Sequence, residues 1–290
     1  MIGRANYLIE DGENGRALVV TGPWTPKTER IVASGKVDGL VLNYARGFVE
    51  PNLKFLDAWP LRHLDVLDRS LVDLDPIVRL KDTLEDLSVQ AAAAASLDLG
   101  EMPRLHALAG EWELIRWQVR ITEALRRLIT WRYDEETLIS LNDHVALEHL
   151  TIKDAPHLRS LLGIEHLLAL RTLELRAVPA LDEIEAISDL VKLTELTLEG
   201  AREIDTLDAI IKLTDLTHLG VADCGEIQSL APLSGMARLT SFYGWGTTRI
   251  ADNDLTPLLC LTKLADLRMR SRPGYHPSLT EITAALAIDQ

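Results

Sequence analysis

Apolar residues along this chain fall into one short phrase that keeps returning. The segment Leu193-Thr194-Glu195-Leu196-Thr197-Leu198 reads apolar-x-x-apolar-x-apolar, and the phrase recurs at Leu147/Leu150/Ile152, Leu170/Leu173/Leu175 and Leu216/Leu219/Val221. Its middle residues, Leu150, Leu173, Leu196 and Leu219, advance in steps of 23. Carried outward in phase, the pattern reaches Leu128, Leu108, Leu87, Leu64, Leu40 and, at its limit, Leu18, and in the other direction Phe242 and Leu267, with steps of 20 to 25. Alternation within the phrase predicts a short strand whose leucines point inward and whose intervening residues point outward. Between strands, apolar residues fall at every third position: Leu158, Leu161, Ile164, Leu167, then Leu181, Ile184, Ile187, Leu190, and onward. That spacing suits a 3₁₀ or loosely wound helix better than an α-helix of 3.6 residues per turn. Each unit is then a strand, a turn and a short helical return, with an apolar edge that only a neighbouring unit can cover.

These residues resemble the leucine-rich-repeat family, and within it the short-repeat bacterial internalin-like type. The segments Leu230-Ala231-Pro232-Leu233 and Asp254-Leu255-Thr256-Pro257-Leu258 are similar to that group's convex segments. The resemblance covers roughly residues 35 to 270. It implies an α/β solenoid, a leucine-rich-repeat horseshoe with a parallel concave sheet and short 3₁₀ or α segments on the convex side. One departure stands out. The family usually places Asn in the turn after the strand, whereas here that position holds Ala45, Ala92, Ala155, Val178, Ala201 and Cys224. The turn amides and carbonyls must therefore be satisfied by backbone or water, because burying them unpaired is costly.

The ends read as caps. Residues 7–10 and 17–20 flank Asp11-Gly12 and Asn14-Gly15, a hairpin signature within an N-terminal capping region, residues 1–34. The solenoid occupies 35–270, and Ser278 with Glu281 forms a capping box opening a helix of about 279 to 287 within a C-terminal cap, 271–290. Between 88 and 135 the repeats are shorter, with an Ala91 to Ala95 run followed by Trp112, Trp117, Trp131 and Tyr133. Small side chains there require close coil packing or indoles that fill the gap, and the solenoid should bend or narrow. No linker interrupts the leucine phase, so no domain boundary is expected.

Charge narrows the list of partners. The chain has 290 residues, 47% hydrophobic but only 5% aromatic, and a formal net charge of -14. Such an acid excess argues against nucleic acid and anionic membranes, whose phosphates require surplus Lys and Arg, and favours a basic or neutral partner. Cys224 and Cys260 lack a CxxC or His-rich setting, and no signal-peptide or membrane-spanning run is read, which fits a cytoplasmic protein. Both cysteines read as core residues.

Reading outward positions strand by strand locates the candidate partner-binding residues. Trp131 with Arg127, Lys153 and Arg176 makes one aromatic and basic cluster; Tyr243 with Trp245, Arg268 and Arg270 makes a second. Tyr, Trp and Arg are the residue types that dominate binding hot spots. Burial in irregular coils is the alternative for both tryptophans, but Gly244 and Gly246 leave Trp245 without covering neighbours. Glu174, Glu195 and Glu199 lie between the clusters; they either meet a basic partner or form a solvated face neutralised by Arg176 and Lys153.

Catalytic chemistry finds no foothold. His63, His149 and His218 share an outward column but sit three or more strands apart, on the order of 14 Å or more at the strand spacing, far beyond metal-ligand bonds of ~2 Å. No nucleophile is placed beside a His–carboxylate pair, and Walker A, GxGxxG and HExxH motifs are missing. No enzyme activity, cofactor or metal is expected. The reading is a protein-protein interaction module that takes its partner on the concave face, with inhibition or neutralisation of a toxin or effector singled out. The alternatives are a scaffold or adaptor, or the repeat portion of an enzyme-bearing effector such as a bacterial ubiquitin ligase. The last is disfavoured because only about 20 residues follow the final repeat.

Overall fold

Every apolar centre of the leucine phase lies in a short strand of the computed structural model, which describes residues 6–12 and 14–286. The chain forms two compact units, Met1–Ile129 and Thr130–Gln290, and the division falls within a strand, not at a linker.

In the first unit, β1 (Tyr7–Gly12) and β2 (Gly15–Val20) form the expected antiparallel hairpin. From β2 onward the ladder is parallel, through β3 (Gly39–Asn43), β4 (His63–Leu67), β5 (Asp86–Gln90) and β6 (Ala107–Glu111). Register sets Leu18, Leu40, Leu64, Leu87 and Leu108 in one row, all buried. Two returns here are α-helices. The first, α1 (Pro26–Ala33), opens on a reciprocal cap in which Thr28 N donates to Thr25 Oγ1 at 3.3 Å and Thr25 N to Thr28 Oγ1 at 2.8 Å. Pro26 at its first position costs no hydrogen bond, since that amide would be unpaired anyway. The second, α2 (Trp112–Ile121), buries Trp112, Ile115, Gln118 and Val119. Gln118 is wholly enclosed and serves as a bracket: Leu99 N donates to its Oε1 at 3.0 Å, and its Nε2 donates to Gly100 O at 3.1 Å. β7 (Arg127–Trp131) follows.

The irregular stretch resolves the choice posed by its composition. Trp112 fills the interior, but Ala93 and Ala94 lie exposed in a turn and Trp117 stands on the surface beneath the Arg120 guanidinium. The alanine run therefore lines no core.

In the second unit the coils are regular. β8 (His149–Lys153), β9 (Thr172–Arg176), β10 (Glu195–Glu199) and β11 (His218–Gly220) are parallel and in register. Beyond β12 (Glu226–Ile227) the sheet continues with β13 (Ser241–Gly244); beyond β14 (Arg249–Ile250) it continues with β15 (Asp266–Met269). β12 and β14 pair with each other as a small second ladder. The returns are 3₁₀ turns, as the three-residue spacing predicts: Ile164–His166, Glu185–Asp189, Asp208–Ile210, Ala231–Gly235 and Thr256–Cys260. Their inward residues, such as Leu181, Ile187, Leu207 and Leu233, are fully buried. The same period corrects the expectation for Cys260. Leu255, Leu258 and Leu261 take the inward positions, so Cys260 is exposed, while Cys224 is buried.

Backbone supplies what the missing Asn would have given. Arg132 N donates to Lys153 O (3.0 Å), Asp154 N to Arg176 O (2.9 Å), Ala177 N to Glu199 O (2.8 Å) and Gly200 N to Ala222 O (2.9 Å), each turn amide reaching the next coil. To aim that amide, the chain enters the left-handed region at one position per coil: Arg132 (φ 54), Asp154 (φ 58), Ala177 (φ 53), Gly200 (φ 76), Asp223 (φ 54) and Gly246 (φ 72). A second ladder runs just before the strands, where the Thr194 hydroxyl donates to Arg171 O (3.0 Å), that of Thr217 to Thr194 O (3.1 Å) and that of Thr240 to Thr217 O (2.9 Å). The Cys224 thiol joins the scheme by donating to Leu198 O at 3.0 Å, and burial pushes its pKa up to about 12.

At the C-terminal end, Ser278 and Glu281 form the predicted capping box: Glu281 N donates to Ser278 Oγ at 3.3 Å and Ser278 N to Glu281 Oε2 at 2.8 Å. The helix α3 (Leu279–Leu286) buries Leu279 and Ile282 and packs on the Thr256–Cys260 turn. Its expected last residue, 287, lies outside the described residues.

Candidate binding surface

Zero-shift register turns the outward positions of the strands into straight rows. In the second unit one row runs His149, Thr172, Glu195, His218, Ser241, Asp266 and the next Thr151, Glu174, Thr197, Gly220, Tyr243, Arg268. The candidates divide between the units. Arg127 belongs to the first, where its guanidinium meets Asp86 at 3.3 Å. Trp131, Lys153 and Arg176 belong to the second. Trp131 is half-buried and Lys153 is exposed. Arg176 is engaged by carboxylates on both sides, Glu174 at 3.4 Å and Glu199 in a closer contact, so its guanidinium is committed while the group keeps one net negative charge.

The C-terminal cluster is built differently. Tyr243 and Arg268 sit opposite each other on β13 and β15, and the guanidinium carbon lies 4.6 Å from the ring centre, a cation–π stack. Asp266 ties both down. It accepts from the Tyr243 hydroxyl at 2.5 Å and from Arg268 Nε and a terminal nitrogen at 3.0 and 2.9 Å. These bonds, with that from Arg268 the larger, hold the Asp266 carboxyl below the usual carboxylate range. The bond to Asp266 and then burial raise the Tyr243 phenol above its ordinary value. His218 packs edge-on against the Tyr243 ring, centroids 4.7 Å apart, and its pKa is lowered, by burial first, against the pull of Glu195, Glu174 and Asp266. Beside this fixed group Trp245 is 58% exposed. Gly244 turns inward, where a Cβ would lie 3.3 Å from Met269 Cγ; a Cβ at Gly246 would stand 2.2 Å from Asp223 Oδ1. Together Tyr243, Trp245 and Arg268, with Ala222, Ala265, Leu267 and Met269, line a cleft of about 830 Å³. A volume in the range of roughly 300–1,000 Å³ is that of ligand pockets generally.

Among solved structures, the chain is similar to an internalin (inlF) from Listeria monocytogenes, with TM-score 0.55 and 18% identity over 79% of this chain and 66% of that one. The fold is a leucine-rich-repeat solenoid of the internalin type. Other similar structures are the functional domain of InlJ from Listeria monocytogenes (TM-score 0.46, 19% identity, 80% of this chain and 44% of that) and the plant peptide hormone receptor RGFR1 in complex with RGF2 (TM-score 0.48, 16% identity, 90% and 52%). This chain thus spans 66% of the first protein's length and less of the other two. No family model matches the sequence, and neither does any curated protein.

A leucine-rich-repeat solenoid offers its strand face as an extended surface, and chemistry on it comes from columns of side chains rather than from a closed pocket. The sequence places Asp266 and His218 in an outward column but gives no sign that they hold Tyr243 and Arg268 in place. Register arithmetic shows them as neighbours. That Asp266 serves two partners at once depends on rotamers, which no spacing reports.

Proposed function

We propose that the protein is an interaction module that captures a protein partner on the strand face of its second unit, at the cleft around Trp245. The observation that carries this reading is an exposed indole next to a Tyr243–Asp266–Arg268 group already locked in one geometry. A preorganised aromatic and Arg anchor loses little side-chain freedom when a partner arrives, so more of the contact energy appears as affinity. Trp131, Lys153, Arg176, Glu174 and Glu199 are a secondary contact surface in this reading, weaker because the Arg176 guanidinium is already committed to Glu174 and Glu199. We assign no catalytic role. Within the reading, neutralisation of a toxin or effector in the cytoplasm is the role we favour over a scaffold, on the strength of the acidic chain and its net charge of -14.

Affinity capture from a lysate of the source cells, with wild type and a Tyr243→Ala/Trp245→Ala variant of unchanged circular dichroism, tests the site. A protein retained by wild type and lost with the variant is the expected result. Identical capture by both sinks the placement.

A further inference from the structure

β15 is the last strand of the second unit's sheet and, among the described residues, has a strand, β13, on one side only. In earlier coils the residue before each strand gives its carbonyl to two amides of the next: Thr194 O to Thr217 N and His218 N, Thr217 O to Thr240 N and Ser241 N, Thr240 O to Ala265 N and Asp266 N. Ala265 O is next in line, and among the described residues no backbone amide reaches it. Parallel alternation turns the main-chain groups of Leu267 and Met269 the same way, just as Val221 N, in the row of Met269, donates forward to Tyr243 O at 2.8 Å. α3 packs on the Thr256–Cys260 turn, so the terminal coil is capped on its return side. Leu267 and Met269 keep 9% and 8% of their surface, where Leu219 and Phe242 keep 0%. Ala265, Leu267 and Met269 also line the cleft of about 830 Å³.

Charge selects the occupant. Among the described residues Asp266 is the only acid lining the cleft, and it is already shared by Arg268 and the Tyr243 hydroxyl. Arg270, just past the strand, is exposed and has no carboxylate within ion-pair distance among the described residues. The edge of a chain with net charge -14 is thus locally cationic. An open sheet edge recruits an extended chain through main-chain hydrogen bonds, and side chains on alternate positions set the choice. We propose that the free edge of β15 is a strand-addition site for an extended segment of a partner protein in which acidic and apolar residues alternate. Its main chain pairs with Leu267 and Met269, its carboxylates lie beside Arg268 and Arg270, and its apolar side chains continue the interior row. The proposal rests on the interaction-module reading and adds the mode of capture and the chemistry captured.

The probe is a labelled peptide of about eight residues, near a usual strand length, alternating Glu and Val, followed by fluorescence anisotropy on the full chain. The Glu/Val peptide is expected to bind, with a Lys/Val peptide and an Arg270→Glu protein each weakening binding by about tenfold or more, as paired charges at interfaces do. Two further peptides, N-methylated at odd or at even amides, separate strand pairing from side-chain docking: one parity loses binding and the other keeps it. Absence of Glu/Val binding overturns the proposal, as does equal binding by both methylated peptides. So does a dimer in sedimentation that the peptide does not displace, which would give the edge to a second copy. The placement of the surface at Trp245 fails separately, when Tyr243→Ala/Trp245→Ala captures the same lysate proteins as wild type, and the interaction-module reading fails when neither captures a protein.

Discussion

The coils of residues 147–265 and the stretch of residues 88–129 solve one problem in two ways. Both must close a turn after each strand without the usual Asn. The regular coils repeat one solution: a left-handed residue, an amide bonded to the next coil, and a threonine hydroxyl bonded to the previous one. The other stretch has no such row. It replaces a 3₁₀ return with α2 and satisfies the loop at Leu99 and Gly100 from a single buried Gln118. Repetition spreads the stabilisation over many weak and equivalent contacts; irregularity concentrates it in one residue.

Substitutions can break this contrast, beginning with the most damaging. Gly163 opens the Ile164–His166 return at φ 106, and a Cβ there would lie 2.6 Å from the backbone of Ile139 in the preceding coil. Gly163→Ala combines a forbidden dihedral with a backbone clash and should cost roughly 2–4 kcal/mol in urea unfolding. A loss under 1 kcal/mol, on the order of an ordinary surface change, would mean that regular coils slide past each other more freely than their register suggests. In the other stretch, Gln118→Leu strands the Leu99 amide and the Gly100 carbonyl and should cost roughly 2–3 kcal/mol. A neutral result would show that leucine packing alone holds that region, as in the regular coils.

Smaller effects test the repeated devices one rung at a time. Thr217→Val removes one hydroxyl of the threonine ladder while keeping its shape and should cost about 1 kcal/mol. If it costs nothing, the strand ladder alone sets the coil spacing. Ala177→Gly works in the opposite direction. Ala177 is left-handed at φ 53 where the next coil uses Gly200, so relief of its Cβ strain, less the entropy of a glycine, should stabilise by about 0.5–1 kcal/mol. Destabilisation there would show that the methyl group contributes more by packing than it costs by strain. Equilibrium unfolding by circular dichroism serves for all four.

How much was legible follows from the same contrast. Wherever a side-chain period repeats, the chain could be read to the residue: Leu18 pairs with Leu40, Phe242 with Leu267, and Ser278 caps α3 through Glu281. The apolar neighbours of Cys260 suggest the core, but the three-residue period points Leu258 and Leu261 inward and leaves it outside. The signal for α1 was present in Thr25-Pro26 and Thr28, a cap with Pro at the first helical position. α2 hid because a polar residue, Gln118, occupies one of its core positions and breaks the apolar spacing. In the binding surface, columns were legible and contacts were not. Trp245 stands in the open, though not because of Gly244, whose missing side chain would face Met269 and Phe242, and Arg176 is committed to Glu174 and Glu199 in the fold.

The unequal step between strands has a bearing on how such a molecule changes. From Leu196 to Leu219 the step is 23 residues and from Phe242 to Leu267 it is 25, yet in each case the strand on one side of the step faces its successor or predecessor without a shift. Length variation is absorbed entirely in the returns, and the exposed columns keep their alignment. The strand face therefore behaves like type set on a fixed line. Letters can be exchanged one at a time, and insertions elsewhere leave the text in place, so recognition can drift independently of the scaffold that displays it.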